Sequence, residues 1–120
     1  MLHLATSCRY YLFQGDADMR KGFDSLCGVV TAEMRLQVLT GDVFVFINRK
    51  RTHIKLLQWE GDGFALYHKR LERGRYERPL VTDKTNTLLS QQQLLLMLQG
   101  IALKSVRRLK RYQHPAHISG

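Results

Sequence analysis

Five consecutive apolar residues, Val43-Phe44-Val45-Phe46-Ile47, constrain this chain more than any other feature. They are β-branched and aromatic throughout, a composition that suits a pleated strand. No polar residue interrupts them, so the strand is expected to be covered on both faces or nearly so. The basic residues 48–52 then make a turn, and a second strand is read over residues 53–59. Glu60-Gly61-Asp62-Gly63 contains an Asp-Gly pair, a strong hairpin signal, and a third strand is read over residues 64–70. Three strands joined by short turns describe an antiparallel meander. A further short strand is a candidate near residues 74–76.

Around this block the chain alternates between extended and helical patterns. Tyr10-Tyr11-Leu12-Phe13 reads as a short strand. Asp18 is a plausible helix N-cap, and Phe23, Leu26, Cys27, Val30 and Met34 recur at the spacing of one apolar helix face. Gly22 is a poor helix former, so the start can slip by a turn. Pro79 closes the meander, and residues 80–89 read as a loop or short extended piece. Ser90-Gln91-Gln92-Gln93 has the form of a capping box, ahead of a short helix through Leu98 that Gly100 stops. A second helical pattern runs from Ile101 to about Tyr112, before Pro115 and a frayed end.

The expected fold is therefore α+β: an antiparallel three- to four-stranded meander packed against one amphipathic helix, plus C-terminal helices. With 120 residues, one domain is expected over residues 1–100, followed by a basic C-terminal helix and tail over 101–120. Cys8 and Cys27 are too few for a disulfide framework and lean toward a reducing compartment. No apolar run approaches the ~20 residues that span a bilayer, and residues 1–5 are too short for a signal-peptide core. A soluble cytoplasmic protein without membrane partners is expected.

Charge narrows the function. Nineteen Lys and Arg face ten Asp and Glu, a formal net charge of +9, which draws polyanions. Residues 48–75 hold eight of those cations against three acids. Arg49, Lys50, Arg51, Lys55, Lys69 and Arg70 are the candidate phosphate contacts, because antiparallel pairing can bring the first turn near the end of the third strand. The same charges could instead protect a sheet edge from aggregation. Arg20 and Lys21 form a second cluster, at the expected start of the first helix, where free backbone N–H groups would add to an anion site. Asp16 and Asp18 could simply pair with them. Trp59 and Tyr67 are candidates for base stacking, although aromatics in strands are more often core. In the tail, Lys104, Arg107, Arg108 and Arg111 share one helix face, with Lys110 nearby.

Catalytic chemistry is sparse. Asp16, Asp18 and Asp24 cluster in sequence, but two of them have ready capping roles, and metal-dependent strand transfer needs several converging carboxylates. His114 and His117 make a weak metal pair interrupted by Pro115. His53 and His68 fall on neighbouring strands and could serve as general acid and base for RNA cleavage, the best enzymatic alternative. No metal or cofactor is expected, and no residue is assigned a catalytic role.

Several of these segments occur together, in the same order, in one known family. Asp18-Met19-Arg20-Lys21-Gly22-Phe23-Asp24, Gly41-Asp42 running through Arg51, Ile54 through Phe64, and Tyr67-His68-Lys69-Arg70-Leu71-Glu72 resemble the small TnpB-type accessory protein of insertion-sequence family 66. This is distinct from the RNA-guided nucleases that share the TnpB label. The resemblance covers about residues 9–79, continues more weakly through 90–100, and leaves the tail outside. It implies a bacterial mobile-element protein that assists transposition beside a separate, larger transposase carrying the acidic catalytic residues. It transfers no catalytic residue to this chain. A non-catalytic DNA-binding accessory protein is the leading expectation. A module docking on the transposase without touching DNA is the alternative, and a small histidine-based nuclease the second.

Overall fold

The structure is a computed structural model that describes residues 3–79 and 86–100. Its frame is a five-stranded mixed sheet built from β1 (Tyr10–Phe13), β2 (Val43–Ile47), β3 (His53–Trp59), β4 (Phe64–Arg70) and β5 (Asn86–Leu89), in the order β4-β3-β2-β1-β5. The β2–β3–β4 meander is antiparallel, as its turns require. In the first turn the Arg51 N–H donates to the Asn48 carbonyl at 3.0 Å, and the Asn48 side chain accepts from the N–H groups of Thr52 and His53, both at 2.9 Å. Arg51 sits at φ +60°, a left-handed conformation that costs a bulky side chain energy and that this wrapped Asn48 enforces. In the second turn Glu60 N–H donates to the Gly63 carbonyl at 2.8 Å, and the positive φ of 95° falls on Gly61.

The sheet departs from a simple meander at β1. This strand runs parallel to β2, with Tyr10, Tyr11 and Leu12 opposite Val43, Phe44 and Val45. Parallel neighbours need a crossover, and helix α1 (Phe23–Val29) supplies it, continued by a π-helical segment Val30–Met34. β5 then pairs antiparallel with the free side of β1. Residues 86–89, read from sequence as loop or extended chain, are thus the edge strand. Residues 74–76 form no strand. The Tyr76 N–H donates once, to the Arg51 carbonyl at 2.7 Å, and its ring is fully buried.

Alternation assigns the two faces. Phe44, Phe46 and Leu57 point to one side and meet Leu26, Val29, Val30 and Met34 of the helical crossover. Val43, Val45, Ile47, Ile54 and Leu56 point to the other, against Tyr76 and the Leu94 and Met97 side chains of α2 (Gln91–Leu98). All five residues of β2 are buried because both faces are covered. The expected helix stripe holds from Leu26 onward, but Phe23 is 46% exposed. Asp18 is not the helix cap. Its Oδ1 accepts from the Arg20 N–H and its carbonyl from the Lys21 N–H, so residues 18–21 close a turn of their own and extended Gly22 precedes the helix.

At α2 the capping box is complete. Ser90 Oγ accepts from the Gln93 N–H at 3.0 Å, and Gln93 Oε1 accepts from the Ser90 N–H at 2.8 Å. Gly100 ends this stretch at φ +74°. The expected helix over residues 101–112 lies outside the described residues. No described helix is long and apolar enough to cross a membrane.

Because α2 covers one face of the sheet, its cap and its core contacts are separately measurable. Ser90→Ala is expected to lower unfolding stability by about 1 kcal/mol. Leu94→Ala, which empties a fully buried position, is expected to cost about 2–5 kcal/mol. Urea unfolding followed by far-UV circular dichroism checks both, with unchanged m-values.

Candidate nucleic-acid interface

The C-terminal ends of β1 and β2 lie at the same end of the sheet because the two strands are parallel. The chain leaving β1 therefore runs beside the turn leaving β2. The Ala17 N–H donates to the Ile47 carbonyl at 2.9 Å, and Arg78 clamps the junction from the other side. Its guanidinium pairs with Asp16 at 3.0 Å and donates to the carbonyls of Ile47 and Asn48 at 3.1 and 3.2 Å. Between the two segments lies an open groove of about 760 Å³ lined by residues 17–20, Asn48, Arg49, Lys50, Thr52 and His53. Arg20 of one basic cluster and Arg49 and Lys50 of the other, nearly thirty positions apart in sequence, thus share one depression. Arg20, Arg49 and Lys50 are its exposed cations.

Arg20 is held by Asp18. Its Nε and Nη2 reach the carboxylate at 3.0 and 2.8 Å, with the side chain 91% exposed. This fork, with the Arg20 backbone N–H, pulls the Asp18 carboxyl down to about 2. Asp18 consequently stays ionised and orients Arg20 rather than competing for protons. Lys21 precedes the helix and is not part of its first turn, so it gains nothing from the helix N-terminus, and it does not line the groove.

Behind the groove stands Lys55. It is 7% exposed, and its Nζ donates to the carbonyls of Met19 and Lys21, both at 2.8 Å. The ammonium therefore ties β3 to the loop that presents Arg20, which sets Lys55 apart from the exposed cations. Lys69 points to the opposite face, where its Nζ donates to the Leu98 carbonyl at 2.7 Å and caps the last turn of α2. Arg70 stands on the groove side, paired with Glu72 at 3.0 Å. Arg51 is half-buried in its turn.

The aromatic candidates do not join this end of the sheet. Trp59 closes β3 at its far end, roughly 20 Å from His53 by strand rise, and meets Phe64 edge-on at 5.0 Å. Tyr67 is 39% exposed and faces the α2 side. The tail residues Lys104, Arg107, Arg108, Lys110 and Arg111, and His114 and His117, lie outside the described residues.

Beside the groove, four residues of β3 and β4 form a block on one face. His53 is opposite Arg70 and Lys55 opposite His68. Across the diagonal, His53 Nδ1 and His68 Nε2 are 2.9 Å apart and share a hydrogen bond. Burial, Lys55 and His53, in that order, push the His68 imidazole below its usual value. A smaller open depression of about 390 Å³ is lined by His53, His68, Arg70 and Glu72. His53 thus borders both depressions. Among the described residues no group of three or more His, Cys, Asp or Glu could hold a metal ion. Thr52, Asn48 and His53 as groove residues had one sequence signal, the Asn that opens the turn. The approach of residues 17–20 had none, because nothing local announces a parallel pairing.

The buried Lys55 ammonium is expected to matter for both stability and geometry. Lys55→Met leaves two loop carbonyls without their donor and is expected to cost about 1–3 kcal/mol. Amide exchange of residues 19–22 should accelerate well beyond the global change, measured by hydrogen–deuterium exchange.

Comparison with known proteins agrees with the resemblance drawn from the motifs. The family model described as IS66 Orf2 like protein matches residues 8–108. That span includes residues 80–89 and the first part of the basic tail, so the likeness reaches further than the motifs suggested. Among curated proteins, the uncharacterized protein y4hO of Sinorhizobium fredii (strain NBRC 101917 / NGR234) is 36% identical over 101 residues, covering 84% of this chain and 87% of that relative. The uncharacterized protein y4jC of the same strain is 29% identical over 91 residues, covering 76% and 77%. No solved structure matches the chain. With the family model spanning most of its length, the chain belongs to the IS66 Orf2-like family, the accessory proteins of transposition in these insertion sequences.

Proposed function

We propose that this protein binds DNA through the cationic end of its sheet, without catalysing a reaction itself, in support of the larger transposase of the same element. The carrying observation is the convergence of Arg20 with Arg49 and Lys50 around one groove, next to Arg70. Exposed guanidinium and ammonium groups at one end of the sheet suit phosphate oxygens, which position a duplex without reading its sequence. The groove is open and polar, a shape suited to a passing backbone rather than to a small enclosed ligand.

The histidine pair argues for binding over cleavage. General acid–base cleavage needs two imidazoles that flank a phosphorus atom, each reaching a different oxygen. His53 and His68 instead bond to each other at 2.9 Å, which leaves no space for a phosphate between those nitrogens. The side chains of Lys55 and Lys69, committed to backbone carbonyls, act as scaffold in this reading.

The test is a mobility-shift titration at several salt concentrations, on element-end duplex, random duplex and single strand. Contact through Arg20, Arg49, Lys50 and Arg70, one phosphate each, gives a log–log slope of about −3.6, at about −0.9 per phosphate. Replacing Arg49 and Lys50 by Gln together is expected to reduce the magnitude of that slope by about 2 and to weaken all three DNAs alike. Salt-independent affinity, or no binding at low salt, overturns the proposal.

A further inference from the structure

We propose that the His53–His68 pair is a phosphate subsite beside the main groove, one that accepts a phosphate oxyanion together with a proton from solvent. This inference rests on the DNA-binding reading and adds a ligand-contacting pair that the charge pattern alone does not indicate.

The argument starts from the hydrogen bond. In the neutral pair one ring spends its single N–H on the other ring, so the two outward nitrogens comprise one donor and one acceptor. An anion meeting that arrangement finds one N–H and one repelling lone pair. Uptake of one proton leaves the bond between His53 Nδ1 and His68 Nε2 in place and turns the outward acceptor into a donor. The pair then presents two outward N–H groups and a positive charge. Charge-assisted hydrogen bonds from such a pair to a phosphate oxygen are the strong kind.

The surroundings decide when this happens. On β3 the neighbour is Lys55, and on β4 it is Arg70, whose charge Glu72 partly offsets at 3.0 Å. Across the groove stand Arg20, offset by Asp18, and the cations Arg49 and Lys50 of the turn. The cations outnumber the two acids and disfavour a further positive charge here, in keeping with the downward push on His68. A bound phosphate supplies the missing negative charge and raises the affinity of the pair for its proton. By linkage, a group whose proton affinity rises on binding strengthens binding at low pH and loses that contribution as pH rises through its bound-state value. The location fits, because His53 lines both the main groove and the adjoining depression. One phosphate at the pair and another at Arg49 and Lys50 would belong to the same backbone.

The experiment is fluorescence anisotropy of a labelled duplex with the full chain, in EDTA and at constant ionic strength, from pH 8 to pH 5.5. Wild type is expected to bind about tenfold more tightly at pH 5.5 than at pH 7.5, within the limit of one linked proton of a factor of ten per pH unit. His53→Gln and His68→Gln, made separately, should each flatten most of that change. Lys50→Gln should weaken binding at every pH and keep the slope. His3, His114 and His117 are common to all of these proteins, so the comparison of slopes isolates the pair. A second arm follows imidazole carbon-bound protons by NMR with inorganic phosphate alone, where the His53 and His68 titrations should move upward in pH. Tight duplex binding with equal slopes in wild type and both histidine variants overturns the subsite and leaves the DNA-binding reading intact. No duplex binding at any pH, with phosphate still moving both titrations, overturns the DNA reading and keeps an anion subsite. Neither effect overturns both.

Discussion

The parallel pairing of β1 with β2 is the constraint on which the rest of this structure depends. Parallel strands cannot be joined by a tight turn, so the chain must cross one face of the sheet before it returns. That crossing is α1 and its π-helical continuation, and it covers Phe44, Phe46 and Leu57. The remaining apolar face then needs its own cover, which α2 and Tyr76 provide. Burial of β2 on both sides follows from these two covers. The same pairing sets two outgoing segments side by side at one end of the sheet, where the cationic groove forms.

The polar side chains divide the labour at that end. Asn48 wraps its own turn and holds Arg51 in a left-handed conformation, which thrusts Arg49 and Lys50 outward. Arg78 with Asp16 closes the gap between the β2 end and the loop leaving β1. Lys55 reaches from the sheet to the carbonyls of that loop. Like charges therefore take different duties according to depth: Arg20, Arg49 and Lys50 are exposed, with Arg20 oriented by Asp18, whereas Lys55 and Lys69 donate to backbone carbonyls. A charge count alone treats all of them as equivalent.

Membership of an accessory family of transposition gives this arrangement its setting. On the proposed DNA-binding reading, the cationic sheet end holds phosphates and leaves the chemistry to the separate transposase. On the same reading the proposed His53–His68 subsite adds a graded element, because its hydrogen bond ties the number of outward donors to the number of protons held.

The meander was legible from residues 43–70 alone, since continuous apolar runs, a basic turn segment and an Asp-Gly hairpin are local signals. So was the capping box at Ser90, and so were the family motifs and the excess of positive charge. The start of α1 was less so, because Asp18 can cap a helix or close a turn with Arg20, and only the folded loop chose the turn. β5 was legible only as a loop or short extended piece, because four residues of an edge strand carry little pattern. The site itself was legible as residue types but not as a place. Arg20 meets Arg49 and Lys50, and Lys55 withdraws from them, only once β1 lies parallel to β2. That pairing is a long-range choice, made by the fit of two covered faces, and no short stretch of sequence encodes it.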